Sequence, residues 1–344
     1  MKAVQVRTDT PKQIHITDVP DPVAGAGEVR VRMEWGGICG SDLSYWKNGA
    51  SGTAIMREPL ILGHEVAGVV DQVGEGVAGV EAGQRVAIYP PTLVGEHDIP
   101  ESTRGKDNLW PEVRYFGSAA FFPHEQGGFS TYRVVRPDQL RILPENVSTK
   151  EGAVAEPLAV AMHAVSLAGD LSGKRVLVNG VGPIGALAVA AVKFAGAREV
   201  IASDVAAESL RVASAMGATS TVNRAAGETL PADVDVTIEA SGAAVAIGDC
   251  LMATVRGGTM VQVGNLPAGE VSVVLGQLVT REITYKGSYR FNPESMDAAI
   301  DAMARGLDVS PVLTHEFKID DAAAAFATAD DRSTGSSKVM LQLS

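Results

Sequence analysis

The sequence predicts an α/β protein with two domains, a β-rich domain folded as a partly closed barrel or sandwich and a doubly wound parallel sheet. The chain has 344 residues, which is too long for one ordinary hydrophobic core. Short β-like runs separated by glycine and proline fill residues 1 to about 150, whereas strand-like and helix-like segments alternate from about 153 to 289. We therefore expect the β-rich domain at 1–152 and 290–344 and the parallel-sheet domain at 153–289.

The first region shows the patterns expected of half-buried strands. Apolar and charged residues alternate from Val29 to Met33, and the run Val66–Val73 leads into the turn-forming sequence Gly74-Glu75-Gly76. Regularly spaced runs of this kind are typical of barrels and sandwiches, with functional residues on the connecting loops. A last strand-like run, Lys338–Leu343, could return to this domain.

The second region alternates strands with helices, as a parallel sheet requires. Its predicted elements are a strand at Arg175–Asn179, a helix at Ile184–Ala195, a strand at Val200–Asp204, a helix through Arg211–Met216 that stops at Gly217, and strands at Val234–Ala240 and Thr259–Gly264. A further helix begins at Asn292-Pro293-Glu294, because asparagine caps it and proline suits its first position. That helix should end near Gly306.

The composition excludes several classes of protein. Apolar residues make up 46% and charged residues 20%, an ordinary globular balance, and the net charge of −12 argues against nucleic-acid or anionic-membrane partners. Two cysteines cannot form a disulfide framework, and the N-terminus has no apolar signal segment. We expect a cytoplasmic protein.

Cys39 and His64 are the residues that indicate function most clearly. Each lies in a glycine-containing turn, and Glu156 follows in Ala155-Glu156-Pro157. Thiolate, imidazole and carboxylate are zinc ligands, and three protein ligands with an open position are typical of a catalytic site. Glu65 is either a further ligand or a group behind the metal, with water in the fourth position. The alternative, an ordinary buried cysteine and histidine, does not explain why all three ligand types occur together.

Asp42 has two interpretations that are compatible with each other. It could accept a hydrogen bond from the ring of a metal-bound His64, a partner that such rings generally need. It could also be a carboxylate in the first turn of a helix, since Ser41-Asp42 resembles a helix cap.

A glycine motif, Gly180-Val181-Gly182-Pro183-Ile184-Gly185, follows one predicted strand and opens the next helix. Gly180 would make the turn, Gly182 would let a pyrophosphate approach the backbone, and Gly185 would let the helix pack closely. The helix N-terminus, which includes Pro183 and Ile184, would then bind the phosphates. Asp204, at the end of the next strand, would accept from the adenosine ribose and select NAD over NADP. The alternative is a tight packing turn without a ligand.

A zinc site and a dinucleotide site in one chain indicate zinc-assisted hydride transfer. A zinc-free reductase would lack the Cys39, His64 and Glu156 set, and a non-catalytic nucleotide-binding protein would tolerate loss of Ser41 or of a ligand. Neither loss is present, so the sequence favours an NAD-dependent dehydrogenase.

These motifs resemble the zinc-dependent medium-chain alcohol dehydrogenase superfamily over nearly the whole chain, and its polyol branch in particular. The segments that resemble L-idonate 5-dehydrogenases within that branch are 114–119, 122–124, 127–129 and 287–291. The resemblance implies a GroES-like catalytic domain and a Rossmann domain. It also implies that the chain forms a homodimer or homotetramer.

The resemblance implies roles for three further residues. Ser41 matches a hydroxyl that relays a proton, Tyr45 matches an aromatic side chain in the polyol pocket, and Arg290 matches a residue near cofactor and substrate. Ser44 stands where many polyol dehydrogenases carry a histidine, so a relay through that position is not expected. The proposed catalytic set is therefore Ser41, Tyr45 and Asp42.

The segment between Tyr89 and Tyr115 departs from many relatives, which carry four cysteines there that hold a structural zinc. This chain has no cysteine in that segment, and Glu96, His97 and Asp98 are interpreted as solvated loop residues. We expect one catalytic zinc and no structural zinc.

The resemblance favours an aldonate substrate, L-idonate oxidised at C5 to 5-keto-D-gluconate. A carboxylate would need a cationic partner, for which Arg114, Arg290 and His124 are candidates, each also explicable as a structural residue. Sorbitol or xylitol is the nearest alternative substrate, and L-threonine is another.

Overall fold

The structure is a computed structural model that describes residues 1–344. The chain forms two compact units, one made of Met1–Glu156 with Leu313–Ser344 and the other of Pro157–Val312. None of its helices is long and apolar enough to cross a bilayer.

The first part of the chain is mainly β-structure. Its strands are β1 Lys2–Val6, β2 His15–Asp18, β3 Val29–Gly37, β4 Ala50–Ser51, β5 Ala54–Ile55, β6 Leu60–Ile61, β7 Glu65–Val73, β8 Arg85–Ile88, β9 Pro91–Leu93, β10 Val113–Tyr115, β11 Tyr132–Val135 and β12 Leu140–Ile142. Its helices are α1 Gly40–Asn48 and α2 Thr149–Gly152.

The middle part alternates strands and helices. The helices are α3 Ala155–Ala168, α4 Pro183–Phe194, α5 Ala207–Ala215, α6 Ala244–Ala253, α7 Gly276–Thr280 and α8 Pro293–Ala304. The strands are β13 Arg175–Asn179, β14 Glu199–Asp204, β15 Ser220–Asn223, β16 Val234–Glu239, β17 Thr254–Gln262 and β18 Thr284–Gly287. The chain ends with β19 Leu313–Lys318, α9 Ala322–Asp330 and β20 Lys338–Gln342.

A mainly antiparallel sheet of seven strands organises the first unit. Its order is β12-β8-β7-β3-β20-β19, and β11 also pairs with β3. The predicted return of the last strand is confirmed, because β20 pairs with β3 and with β19. Phe129 is fully buried in the core of this unit, where it contacts Phe326 edge to face.

The second unit is built on a six-stranded parallel sheet of order β15-β14-β13-β16-β17-β18. The central strand β13 has three successive buried residues, Val176, Leu177 and Val178, as expected of a parallel strand covered on both faces. The predicted helix cap at Asn292 is present, since its side chain accepts from the Ser295 N–H at 3.0 Å.

The domain boundaries differ from those expected from the sequence. The sequence predicts residues 290–312 in the β-rich domain, whereas in the structure they belong to the second unit. The first unit also extends to Glu156 rather than ending at residue 152. Helix α8 packs within the second unit, because Ser295 lies 3.4 Å from the His163 ring and Arg305 stacks on Phe194. A helix start and stop do not reveal which core the helix will join.

Candidate metal and nucleotide sites

Strand register brings the two predicted ligand turns together. Strand β3 ends at Gly37 and antiparallel β7 begins at Glu65, and these two residues are direct cross-strand partners. Cys39 follows β3 and His64 precedes β7, so both lie at the same end of the strand pair. Glycine is required at position 63: a Cβ on Gly63, whose φ is +96°, would lie 2.1 Å from the Phe129 ring.

The donor atoms of Cys39, His64 and Glu65 lie within 4.8 Å of one another. His64 and Glu65 are buried and Cys39 is half-buried. A sulfur, a nitrogen and an oxygen donor that converge in this way fit a zinc ion.

Asp42 joins the two turns through their backbones. Its fully buried carboxylate accepts from the Cys39 N–H at 2.9 Å and from the Gly63 N–H at 3.0 Å. The predicted hydrogen bond to the His64 ring is not formed in the structure, where Oδ1 lies 3.9 Å from Nδ1. Because both carboxylate oxygens bind backbone N–H groups, Asp42 positions the ligand turns rather than the ring alone.

Lys338 forms a buried ion pair with Glu65 that the sequence analysis did not anticipate. Its ammonium lies 2.7 Å from both carboxylate oxygens and donates to the Ile38 carbonyl at 3.2 Å. Lys338 opens β20, whose register with β3 sets it beside the turn that carries Cys39. The ion pair competes with direct metal ligation by Glu65. No local pattern in the sequence signals a partner that is 273 residues away.

Glu156 lies near this cluster but outside the group of three converging donors. Its carboxylate accepts from the Tyr115 hydroxyl at 2.5 Å, and it interacts electrostatically with His64 and Glu65. Tyr115 is therefore the partner that holds the Glu156 carboxylate, a role that no local pattern in the sequence indicates.

The cluster stabilises positive charge. Burial alone would lower the pKa of His64, but Asp42 and Cys39 outweigh it and raise that pKa well above 6.5. Burial raises the pKa of Glu156 to about 7, although His64 acts in the opposite direction. An anionic pocket that holds a proton so firmly in the absence of metal is a suitable site for a dication.

The other residues of helix α1 lie beside the donor set. The Ser41 hydroxyl is 3.4 Å from His64 Nε2. One turn later the Tyr45 hydroxyl accepts from the Ala119 N–H at 2.9 Å. Ser44 donates to the Ala50 carbonyl at 2.7 Å, so its hydroxyl is engaged in local structure.

The glycine motif of the second unit has the geometry of a phosphate-binding turn. Gly180 has φ of +80°, and a Cβ on Gly185 would lie 1.9 Å from the Gly180 carbonyl oxygen. A Cβ on Gly182 would meet nothing within 4 Å, which leaves open space at the N-terminus of α4. Pro183 and Ile184 form the first turn of that helix.

Asp204 lies at the end of β14, next to this turn. One carboxylate oxygen accepts from the Val181 N–H at 2.7 Å, and the other accepts from two backbone N–H groups of the following loop. Arg290 follows β18 with φ of +51° and stacks on Tyr289 with 5.0 Å between the guanidinium carbon and the ring centre.

Two of the three cations proposed for a substrate carboxylate have structural partners in the first unit. Arg114 donates to the Pro123 carbonyl at 3.0 Å and lies 3.7 Å from Glu125. His124 accepts from the Arg57 N–H at 2.8 Å through Nε2, and its Nδ1 lies 2.7 Å from the Phe121 carbonyl oxygen. Arg114 and His124 therefore stabilise the loop around residues 121–125, and their polar groups already have partners within the chain.

In the segment between Tyr89 and Tyr115, His97 lies 3.2 Å from Glu112 and contacts the Trp110 ring edge to face. A short hairpin of β9 and β10 supports this segment.

The sequence matches the family models for the alcohol dehydrogenase GroES-like domain at residues 25–145 and for zinc-binding dehydrogenase at residues 183–305. It is 38% identical to L-idonate 5-dehydrogenase (NAD(P)(+)) of Escherichia coli strain K12, with 90% of each chain covered. The chain belongs to the zinc-type polyol and sugar-acid dehydrogenase family. This dehydrogenase is also 34% identical to the sorbitol dehydrogenase of Gallus gallus, over 92% of its own chain and 90% of the other.

Solved structures agree with this family. The crystal structure of L-idonate 5-dehydrogenase from Escherichia coli superposes with a TM-score of 0.90 at 35% identity, covering 99% of this chain and 97% of the other. A putative zinc-binding dehydrogenase from Sinorhizobium meliloti bound to NADP gives 0.87 at 30% identity, with 99% of both chains covered. The chain is therefore an enzyme that acts on CH–OH groups, with the combined GroES-like and Rossmann-type fold predicted from its sequence.

Proposed function

We propose that this dehydrogenase uses one zinc ion and NAD to oxidise a secondary hydroxyl of a sugar acid, with L-idonate converted at C5 to 5-keto-D-gluconate. The observation that carries the proposal is the convergence of Cys39, His64 and Glu65 beside the Ser41 hydroxyl. The substrate assignment is supported by the 38% identity to an L-idonate 5-dehydrogenase.

Cys39, His64 and Glu156 would hold the catalytic zinc, with Glu65 or water as the further ligand. Zinc would lower the pKa of the substrate hydroxyl, and NAD would accept the hydride. A single zinc is supported by the cysteine count, since the only other cysteine is Cys250, buried in the second unit.

The side chains of the first unit would bind and orient the substrate. Ser41 Oγ lies 3.4 Å from His64 Nε2 and would carry away the proton lost by the substrate. Asp42 would keep the two ligand turns in register through its bonds to the Cys39 and Gly63 N–H groups. Tyr45, one helical turn from Ser41, would form an aromatic wall for the carbon chain.

The second unit would bind NAD through its glycine turn. The open space at Gly182 suits a pyrophosphate. Helix α4 begins with Pro183, Ile184 and Gly185, and the backbone N–H groups that follow the proline would donate to the phosphates. Asp204 would accept from the ribose hydroxyls and disfavour NADP, and Arg290 would lie close to the cofactor.

A neutral polyol such as sorbitol or xylitol is the second candidate, favoured by the 34% identity to sorbitol dehydrogenase. Threonine dehydrogenase activity is the remaining alternative. We also propose that the enzyme is a cytoplasmic homodimer or homotetramer.

The test is NAD reduction measured over L-idonate, D-gluconate, sorbitol, xylitol and L-threonine, with zinc content determined on the same sample. We expect L-idonate to give the highest kcat/KM. If sorbitol or xylitol is oxidised faster than every aldonate, the assignment to aldonates is wrong, although the roles of zinc and NAD would stand.

A further inference from the structure

A pocket of about 120 Å³ opens on the first unit between the turn after α1 and the loop that precedes Phe129. Its lining includes Thr53, Ala54, Arg57, Ala120, Phe122 and His124. The volume admits several water molecules, and hence a carboxylate with the carbon that bears it.

The wall of this pocket is connected to the donor set through helix α1. Ala119 lines the pocket and donates its N–H to the Tyr45 hydroxyl at 2.9 Å. Tyr45 lies one helical turn, a rise of ~6 Å, from Ser41. Ser41 in turn lies 3.4 Å from His64 Nε2. The pocket wall at Ala119 is thus tied to the donor set through Tyr45 and Ser41.

Arg57 is the one side chain lining this pocket that carries a fixed charge. It is exposed, and its guanidinium forms no hydrogen bond or ion pair within the chain. Its own backbone N–H donates to His124 at 2.8 Å, and the Glu58 carboxylate accepts from the His124 N–H at 2.6 Å. The backbone of Arg57 is thus anchored while its charge is uncompensated.

The neighbouring groups favour an anion in this position. Glu58 is bound to the His124 N–H, and the Arg114 charge is directed to Glu125 and the Pro123 carbonyl. His124 Nε2 accepts two backbone N–H bonds, so this atom is already occupied within the chain. In a chain with a net charge of −12, an unpaired arginine at a polar pocket is a local attractor for negative charge.

We propose that Arg57 binds the carboxylate of the aldonate substrate in this pocket and thereby sets the preference for a sugar acid over the corresponding polyol. This inference rests on the proposed function and deepens it. The guanidinium can hold a carboxylate with two parallel hydrogen bonds, a geometry that a neutral hydroxyl at the same position does not reproduce. The carboxylate carbon of L-idonate is C1, four bonds along the chain from the reacting C5, so the two groups would occupy different places in the first unit.

The first test compares kcat/KM for L-idonate with that for the matching alditol, L-iditol, in the unmodified enzyme and in Arg57→Gln. We expect the aldonate-to-alditol ratio to fall about fivefold to thirtyfold, because the arginine is exposed and its carboxylate pair is partly screened. Arg57→Lys should give an intermediate ratio. Arg104→Gln, which removes an exposed arginine paired with Glu101, is the matched control and should leave the ratio unchanged. Melting temperature and zinc content identify any variant that is misfolded.

The second test reverses the charge. Arg57→Glu should lower the aldonate-to-alditol ratio still further and should favour 1-amino-1-deoxy-L-iditol, which carries an ammonium group in place of the carboxylate, relative to L-iditol. An unchanged ratio in Arg57→Gln, or no gain for the amino alditol in Arg57→Glu, would overturn the inference.

The two proposals fail in different ways. If the unmodified enzyme prefers a neutral polyol, the proposed function is wrong. The role of Arg57 would still be supported if the aldonate-to-alditol ratio of kcat/KM changes in the Arg57 variants. If L-idonate is preferred and the ratio does not depend on Arg57, the function stands and this inference is wrong.

Discussion

The ligand turns show how one buried side chain can organise a site. Asp42 is fully buried, and each of its oxygens accepts from the backbone of a different turn, one before α1 and one before β7. Bonds from N–H groups to a charged acceptor are stronger than bonds between neutral groups, so Asp42 fixes the separation of Cys39 and His64 before any metal binds. Such support for ligands is typically worth tenfold to a hundredfold in metal affinity.

Cys39→Ser tests the ligand assignment at the residue scale. We expect a loss of most activity and of bound zinc, because a serine hydroxyl is a poor zinc ligand. The fold should persist, since Cys39 is half-buried and stands outside the main core. Circular dichroism and thermal melting check the fold. A variant that retains zinc and activity would contradict the assignment.

Asp204→Ala tests the cofactor site. In the unmodified enzyme we expect kcat/KM with NAD to exceed that with NADP by more than tenfold, because a carboxylate facing a 2′-phosphate costs at least ~1.4 kcal/mol. Asp204→Ala should reduce the difference in kcat/KM between NAD and NADP. It should also loosen the glycine turn, since Asp204 binds the Val181 N–H. Equal use of both cofactors by the unmodified enzyme would show that the ribose site is misplaced.

Among the elements, strand β13, the glycine turn and helix α4 together form the nucleotide-binding motif. Substitutions of two of its glycines separate the residue that packing requires from the residue that leaves space for the ligand. Gly185→Ala forces a Cβ to 1.9 Å from the Gly180 carbonyl oxygen, so we expect a stability loss of about 1–3 kcal/mol together with weaker NAD binding. In Gly182→Ala the added Cβ has no atom of the chain within 4 Å, so stability should be nearly unchanged. The same Cβ would occupy space at the start of α4 that the pyrophosphate needs, so NAD binding should weaken. Denaturant unfolding and NADH fluorescence titration measure the two effects. Equal stability losses in both variants would contradict this division of roles.

Local patterns were sufficient to predict ten of the 29 helices and strands. The helix predicted at Ile184–Ala195 is observed at Pro183–Phe194, and the run Val66–Val73 lies within β7. These segments carry their own signals, such as alternation, a terminal proline or a following glycine. The strand β17 begins at Thr254 rather than at the predicted Thr259, because the bulged, glycine-containing start of that strand lacks the usual apolar pattern.

Long-range partners could not be predicted in this way. Glu65 pairs with Lys338, and Arg57 shares a pocket with Phe122, only because sheet register and loop packing bring distant segments together. The site residues Cys39 and His64 could be identified from the sequence, because their metal-binding side chains and the glycines beside them are local features. The ion pair, the anchoring of His124 and the placement of α8 depend on the folded chain.

For the whole molecule, the charge balance of the cluster predicts a pH dependence. In the zinc-free enzyme the pKa of Glu156 is raised to about 7 and that of His64 well above 6.5. Both shifts favour the protonated forms in the folded state. The contribution of Glu156 to stability is therefore lost as the pH rises from about 4.5 to about 7, and that of His64 is lost only above pH 6.5. Zinc must displace these protons, so its affinity should rise with pH.

Thermal melting with and without zinc measures this linkage. We expect the increase in melting temperature on zinc binding to be larger at pH 8 than at pH 6. The zinc affinity should rise by up to about tenfold for each unit of pH increase and each displaced proton. A zinc effect that is the same at both pH values would mean that these groups do not titrate as described.

We propose that one zinc ion in the first unit supports hydride transfer from a sugar acid to NAD. The most direct test is to remove zinc with a chelator, add it back in steps and follow NADH formation from L-idonate. We expect activity to be lost on removal and to recover in proportion to bound zinc, reaching its maximum at about one zinc per chain, as expected of a single three-ligand catalytic site. Activity that survives complete zinc removal, or that recovers only at two zinc ions per chain, would contradict the account.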